Sequence, residues 1–286
     1  MRFEKWQALG NDYLIVEARE MAFELTPARI RRLCEGHFGV FADGVLLLSA
    51  SEDPGCLARL RIYNPDGSEA ELSGNGAREA ILYLRRRGWS DADTFSIQTA
   101  AGPISPTITG SDTCRVDMGS ARLRSEDFPN GPGDGQGELA AAGRTWRFQH
   151  VSIGNPQCAI HVADLAALLA LNLPAIGPEI EGHELFPNRT NVSWFTETAP
   201  QRIRARIFER GVGTTLSSGT GAIGAAVAHH LCSGAASGSL VSVELDGGEL
   251  EVAIGEDLHI DLTGWARPVF AGVLSDEFVK ELHETE

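Results

Sequence analysis

The segments YNPDGSEAELSGNGAREA (residues 63–80) and FERGVGTTLSSGTGAIGAA (residues 208–226) carry one design twice, 145 residues apart. Each leads from a strand-like stretch through a polar, Gly-rich loop to a serine, then to Gly-x-Gly-Ala and a helix-like run. Asn64 and Glu209 stand nine positions before Ser73 and Ser218 respectively. A duplicated helix-entry loop constrains the chain to two halves of like construction, each presenting a helix N-terminus. Such termini favour anions through exposed backbone N–H groups and the helix macrodipole. Gly74, Asn75 and Gly76 in one copy, with Gly219, Thr220 and Gly221 in the other, allow the close backbone approach that an α-carboxylate requires. The plainer reading of each serine is a helix N-cap, for which serine is among the preferred residues. The repeated context adds the ligand-binding reading to it.

Strand-like alternation recurs on both sides of the repeat. RLRIYN places Leu60 and Ile62 on one face, and RIRARIF does the same with Ile203, Ala205 and Ile207. TPARIRRLCEGHFG opens on Thr26-Pro27, a cap followed by a favoured first-turn residue. After Ser73, residues Ala77, Ala80, Ile81 and Leu84 fall at helical spacing, with Gly88 as a stop. After Ser218 the run is apolar almost all round (Ala222, Ile223, Ala225, Ala226, Val227), which predicts a core helix wrapped by sheet. Residues 130–143 are Gly- and Ala-rich without period and are expected to form a surface loop. The pattern is mixed α/β (α+β), rich in antiparallel strand, with the repeat dividing the chain near residue 120.

Composition narrows the function classes. The formal charge is −15 over 286 residues, which argues against electrostatic binding to nucleic acid or an anionic membrane. No apolar run suggests a membrane span, and MRFEKWQALGND lacks the apolar core of an export signal. Five scattered cysteines with no CxxC pair argue against a disulfide framework or zinc site and fit a cytoplasmic location. Gly211-Val-Gly213 lacks the third glycine of a dinucleotide loop. His229 and His230, adjacent in sequence, do not share a helix face and make an improbable metal pair.

The two motifs, with GND at 10–12, ADGVLLL at 42–48, GNP at 154–156, LFPNRTNV at 185–192 and the VELDGGELEV…TGWARPVFAG tail, resemble those of the diaminopimelate epimerases. These enzymes invert one α-carbon of diaminopimelate without a cofactor. The resemblance implies two pseudo-symmetric domains, each a mostly antiparallel sheet around a central helix. It assigns residues 1–120 plus 267–286 to the first domain and 121–266 to the second. The expected reaction is two-base proton transfer from LL- to meso-diaminopimelate, serving lysine and peptidoglycan synthesis, with no metal, pyridoxal phosphate or nucleotide. The implied partners are a small amino-acid substrate and a second copy of the chain.

The resemblance makes Ser73 and Ser218 the acid/base positions and makes Asn11, Asn64, Gly74, Asn75, Asn155, Asn191, Glu209, Arg210, Gly219 and Thr220 substrate-binding. A zwitterionic amino acid needs donors for its carboxylate and acceptors for its ammonium. Arg210 supplies a bidentate fork, the amides both kinds of group, and Glu209 an acceptor. The chain departs from the family where the family uses two cysteines. A thiol near pKa 8.5 becomes a usable base at a helix N-terminus. A serine hydroxyl does not, and each pK unit of mismatch carries about 1.36 kcal/mol. The expectation is a family member with impaired or absent turnover. Glu79 and Ile223 stand where further cysteines often occur, which favours natural divergence. Gln7 and Gln157 replace common histidines. Two alternatives remain open at this point. One is a lyase or isomerase acting on another amino acid, and the other a non-catalytic amino-acid-binding protein.

Overall fold

A computed structural model describes residues 1–234 and 238–285. In chain order its first elements are β1 (Arg2–Ala8), β2 (Asn11–Glu17), α1 (Pro27–Cys34), β3 (Val45–Ser49), β4 (Ala58–Tyr63), β5 (Glu69–Ala70), α2 (Gly74–Arg86), β6 (Ile97–Thr99), β7 (Gly102–Ile104) and β8 (Thr107–Ile108). There follow β9 (Thr113–Ser120), β10 (Gln136–Ala141), β11 (Arg144–Ser152), β12 (Pro156–His161), α3 (Leu165–Leu169), α4 (Leu173–Glu181), β13 (Asn191–Ala199), β14 (Arg202–Glu209), β15 (Gly213–Thr215) and α5 (Gly219–Ser233). The last are β16 (Ser239–Leu245), β17 (Gly248–Ile254), β18 (His259–Trp265), β19 (Arg267–Val273) and α6 (Asp276–Glu284). The chain divides into two units, Met1–Val116 with Gly264–Glu286, and Asp117–Thr263. Residue 286, the end of the segment assigned from sequence to the first domain, lies outside the described residues.

In the first unit the strand order is β19-β1-β2-β3-β4-β6-β7, with β5 beside β4. β19 pairs antiparallel with β1, and from β1 onward the neighbours alternate in sense: β1/β2 antiparallel, β2/β3 parallel, β3/β4 antiparallel, β4/β6 parallel and β6/β7 antiparallel. In the second unit β10-β11-β12-β13-β14-β16-β17 gives the same alternation from β11 onward, with β15 beside β14. Helix α2 lies between β5 and β6 in sequence, and α5 between β15 and β16. The duplicated motif is therefore a duplicated topology: a short strand, a serine cap and the helix that crosses to the next parallel strand. Parallel neighbours need such a crossover.

Both helices begin for the same local reason. The Ser73 side chain accepts from the Gly76 N–H at 3.1 Å, and Ser218 from the Gly221 N–H at 3.2 Å. Loss of such a cap costs about 0.5–2 kcal/mol. Helix α5 ends at Gly234 in the left-handed conformation, φ 64°. Every residue from Gly221 to His229 is buried, as the all-round apolar pattern predicts. Gly224 is obligatory there, because a Cβ would come within 2.8 Å of the Gln157 side chain on β12. Helix α2 buries Ala77, Ala80, Ile81 and Leu84 together with Arg78 and Glu79, two charged residues whose burial the pattern does not announce.

Residues 130–143 are not a simple loop. They contain β10, which pairs with β11 from Gln136↔Gln149 to Ala141↔Arg144. Its alternation is carried by Leu139 and Ala141, both buried, within a run too rich in small residues to show the period. They join a core that includes Trp146, Phe148, Trp194 and Phe208. The first unit has its own core, containing Phe3, Leu14, Ile30, Leu33 and Tyr63.

Candidate active site

The N-terminus of α2 assembles polar groups from the first unit. Ser73 Oγ accepts from the Gly76 N–H, and Tyr13 Oη on β2 donates to it at 3.3 Å. A hydroxyl oxygen has two acceptor lone pairs. Both are engaged, so the Ser73 proton is left to donate. Asn75 Nδ2 donates to Asn11 Oδ1 at 3.2 Å, and Asn11 Nδ2 donates to Asp43 Oδ2 at 2.9 Å. Behind the turn, Arg78 Nη2 donates to Asn75 Oδ1. Glu79 is fully buried and neither carboxyl oxygen makes a full hydrogen bond, the Tyr13 backbone N–H offering only a weak one. Burial pushes its carboxyl well above the usual range; Asp12 and Asp43 push the same way, and Arg78 opposes them.

The N-terminus of α5 has the same backbone and a different neighbour. Ser218 Oγ donates to Glu209 Oε2 at 2.8 Å while accepting from the Gly221 N–H. The Ser218 proton is thus committed to a carboxyl group. Burial raises the Glu209 carboxyl, and the Ser218 hydrogen bond pulls it back. Asn155 Nδ2 donates to Thr220 Oγ1 at 3.3 Å, and Gln157 Nε2 holds Asn155 Oδ1 at 2.7 Å. A Cβ on Gly219 would come within 3.0 Å of Leu262 Cδ2. Glycine at this first helical position therefore also serves packing.

Asn191 is buried on β13. Its Oδ1 accepts from the Arg210 backbone N–H at 2.9 Å, and its Nδ2 donates to the Pro156 carbonyl at 3.1 Å. The Arg210 guanidinium donates to the Asn188 carbonyl at 3.0 Å. Asn64 sits in its own turn: Nδ2 donates to Ser68 Oγ at 3.0 Å, and the backbone closes on Ser68 and Gly67. Chain adjacency at the helix starts and hydrogen bonds thus place the sequence-predicted residues in three groups, Ser73-Gly74-Asn75-Asn11, Ser218-Gly219-Thr220-Glu209-Asn155 and Asn191-Arg210, with Asn64 in a fourth place. Sequence reasoning missed Tyr13, Asp43 and Arg78. The first two lie inside or next to the GND and ADG blocks, and Arg78 follows Gly-Asn-Gly-Ala directly.

The buried cysteines are weakly acidic. Burial, with help from Asp43 and Asp12, pushes the Cys34 thiol up to about 12, and burial pushes Cys114 up to about 12. Burial lifts Cys158 well above its ordinary value. Asp117, His259 and Asp261 bring ligand atoms within 4.8 Å of one another, the one such group among the described residues, and it lies in the β9 and β18 strands of the second unit. No helix among the described residues is long and apolar enough to cross a membrane.

The sequence profile described as "Diaminopimelate epimerase" matches residues 3–124 and 149–268. A protein of Pelotomaculum thermopropionicum named diaminopimelate epimerase is 40% identical over 281 residues, covering 95% of this chain and 98% of that one. One from Nostoc sp., named diaminopimelate epimerase 2, is 38% identical over 284 residues, covering 97% and 96%. Solved structures share the fold at low identity. A phenazine biosynthesis protein of the PhzF family from Bacillus anthracis superposes with a TM-score of 0.70 at 17% identity, covering 96% of this chain and 99% of that one. A probable proline racemase from Agrobacterium radiobacter superposes with a TM-score of 0.64 at 15% identity, covering 96% and 93%.

Proposed function

Because the chain belongs to the diaminopimelate epimerase family, we propose that it binds diaminopimelate and inverts its α-carbon slowly or not at all. The observation that carries this reading is the retained architecture with altered chemistry. Both helix N-termini keep the glycine-rich first turn and are capped by a serine, yet neither carries a thiol. The carboxylate of an amino acid is met by N–H groups of a helix start, which need no rearrangement to stabilise charge growing on it. The ammonium is met by Glu209, whose carboxyl is held by Ser218. Asn155, Asn191 and Arg210 supply the polar groups for the far end of a long diamino diacid.

The proton-transfer positions are the weak point. General base catalysis contributes about 10²–10⁴-fold when the pKa suits the task. Ser73 accepts from the Gly76 N–H and the Tyr13 phenol and Ser218 gives its proton to Glu209, so neither oxygen is an alkoxide at neutral pH. The buried thiols are too weakly acidic to substitute. The reading includes a cytoplasmic location, consistent with cysteines that are all free. It also includes association with a second copy along β19, an edge strand on which Val269, Phe270 and Val273 are exposed.

Calorimetric titration of the full chain with diaminopimelate, followed by chiral analysis of the ligand, tests the reading. Saturable binding with slow or undetectable conversion of LL to meso is the expected result. Absence of binding at millimolar ligand defeats it, and formation of an oxo-acid or imine replaces it with a lyase.

A further inference from the structure

The Arg78 guanidinium is 0% exposed, and its Nε and Nη1 have no hydrogen-bond partner. Nη1 lies 3.8 Å from the place a Cβ on Gly74 would occupy, so the charge sits beside the first residue of α2. Nη2 is bonded to Asn75 Oδ1, Asn75 Nδ2 to Asn11 Oδ1, and Asn11 Nδ2 to Asp43 Oδ2. An isolated amide can present oxygen or nitrogen either way round. This row cannot, because a guanidinium only donates and an ionised carboxylate only accepts. The ends of the row leave one orientation for each amide between them. Asn11 is then left with one further N–H, at a position the family resemblance assigns to substrate.

The arrangement is costly. A buried cation with unmet donors destabilises a fold, and an apolar residue of like volume is commonly neutral or better in its place. Glu79, next in sequence, does not neutralise it, since burial favours its uncharged form. A buried charge kept under these conditions is explained by use of its field and its donors.

We propose that Arg78 is a positioning residue. Its guanidinium fixes the amide polarity of Asn75 and Asn11 and keeps the α2 N-terminus positive toward a ligand carboxylate. This rests on the substrate reading above.

The test compares Arg78→Met and Arg78→Lys in the full chain by thermal melting and by calorimetric titration with diaminopimelate. The Met variant is expected to melt at the same or a higher temperature and to bind at least about tenfold more weakly. The Lys variant, which keeps a charged donor, recovers part of that loss. A Met variant that binds as tightly as the unmodified chain overturns the proposal, and so does one that fails to fold, since that marks a purely structural role. If the unmodified chain does not bind diaminopimelate, the substrate reading fails on its own. The side-chain amide NMR signals of Asn11 and Asn75 then decide: displacement of both in Arg78→Met supports the row, and unmoved signals refute it.

Discussion

The two helix starts have nearly the same cap, 3.1 Å at Ser73 and 3.2 Å at Ser218, and opposite charges behind it. Ser73 is backed by the Tyr13 phenol and, through Asn75, by the buried Arg78 cation. Ser218 is backed by the Glu209 carboxyl. The cap depends only on a serine and the next three backbone groups, so duplication preserves it. The neighbours come from other strands and are free to differ. Shared backbone geometry therefore does not imply shared chemistry. At one start the serine oxygen accepts from a phenol and a backbone N–H, and at the other the serine's own proton is held by a carboxyl.

Restoring the thiols tests whether that difference limits the chain. The double replacement Ser73→Cys with Ser218→Cys is expected to raise the rate of LL-to-meso conversion by about 10²-fold or more, measured by chiral chromatography. Neither single replacement does so, because inversion needs a group on each face. A double variant as slow as the unmodified chain shows that more than proton transfer has been lost.

Removing the charge behind Ser218 comes next. Glu209→Gln is expected to weaken diaminopimelate binding by about 10–100-fold, the loss of a hydrogen bond to a charged group. Asn64→Ala, at the same offset before Ser73, has a smaller effect because Asn64 is spent within its own turn. Equal losses in calorimetry erase the asymmetry.

The buried acid on α2 gives a pH signature. Its folded-state carboxyl lies well above its ordinary value of 4.5, so its stabilising contribution is full below about that pH and is lost as pH rises toward the raised value. Glu79→Gln is therefore expected to melt higher than the unmodified chain at pH 8 and no higher at pH 4. A gain of the same size at both pH values contradicts the assignment. The smallest effects belong to the caps themselves. Ser73→Ala and Ser218→Ala each cost about 0.5–2 kcal/mol in denaturant unfolding, with Ser218→Ala the larger because it also removes the Ser218 hydrogen bond to Glu209.

Much of this was legible in the chain. Ser73, Ser218 and the glycines after them announce both helix starts, and the all-round apolar run after Gly221 announces a core helix. The equal spacing of Asn64 and Glu209 was legible but misleading as to contact. Glu209, one methylene longer, reaches its serine, whereas Asn64 is captured by the NPDGS turn. Strand β10 was hidden because Gly and Ala carry little periodic signal. Helix α4 was hidden by Pro174 and Pro178, the first tolerated at the helix start and the second inside it. The row from Arg78 to Asp43 joins residues far apart in sequence, and only the sheet brings them together.

Proton exchange at the α-carbon puts the central claim to its most direct trial. Unmodified chain is incubated with LL-diaminopimelate in deuterated buffer, and α-deuterium is followed by NMR under conditions where calorimetry shows the ligand bound. Bound ligand that gains deuterium no faster than a small fraction of the double-cysteine variant's rate is the result predicted. Exchange as fast as in that variant would contradict the account, because hydroxyls would then be moving a carbon-bound proton that only thiols are expected to move.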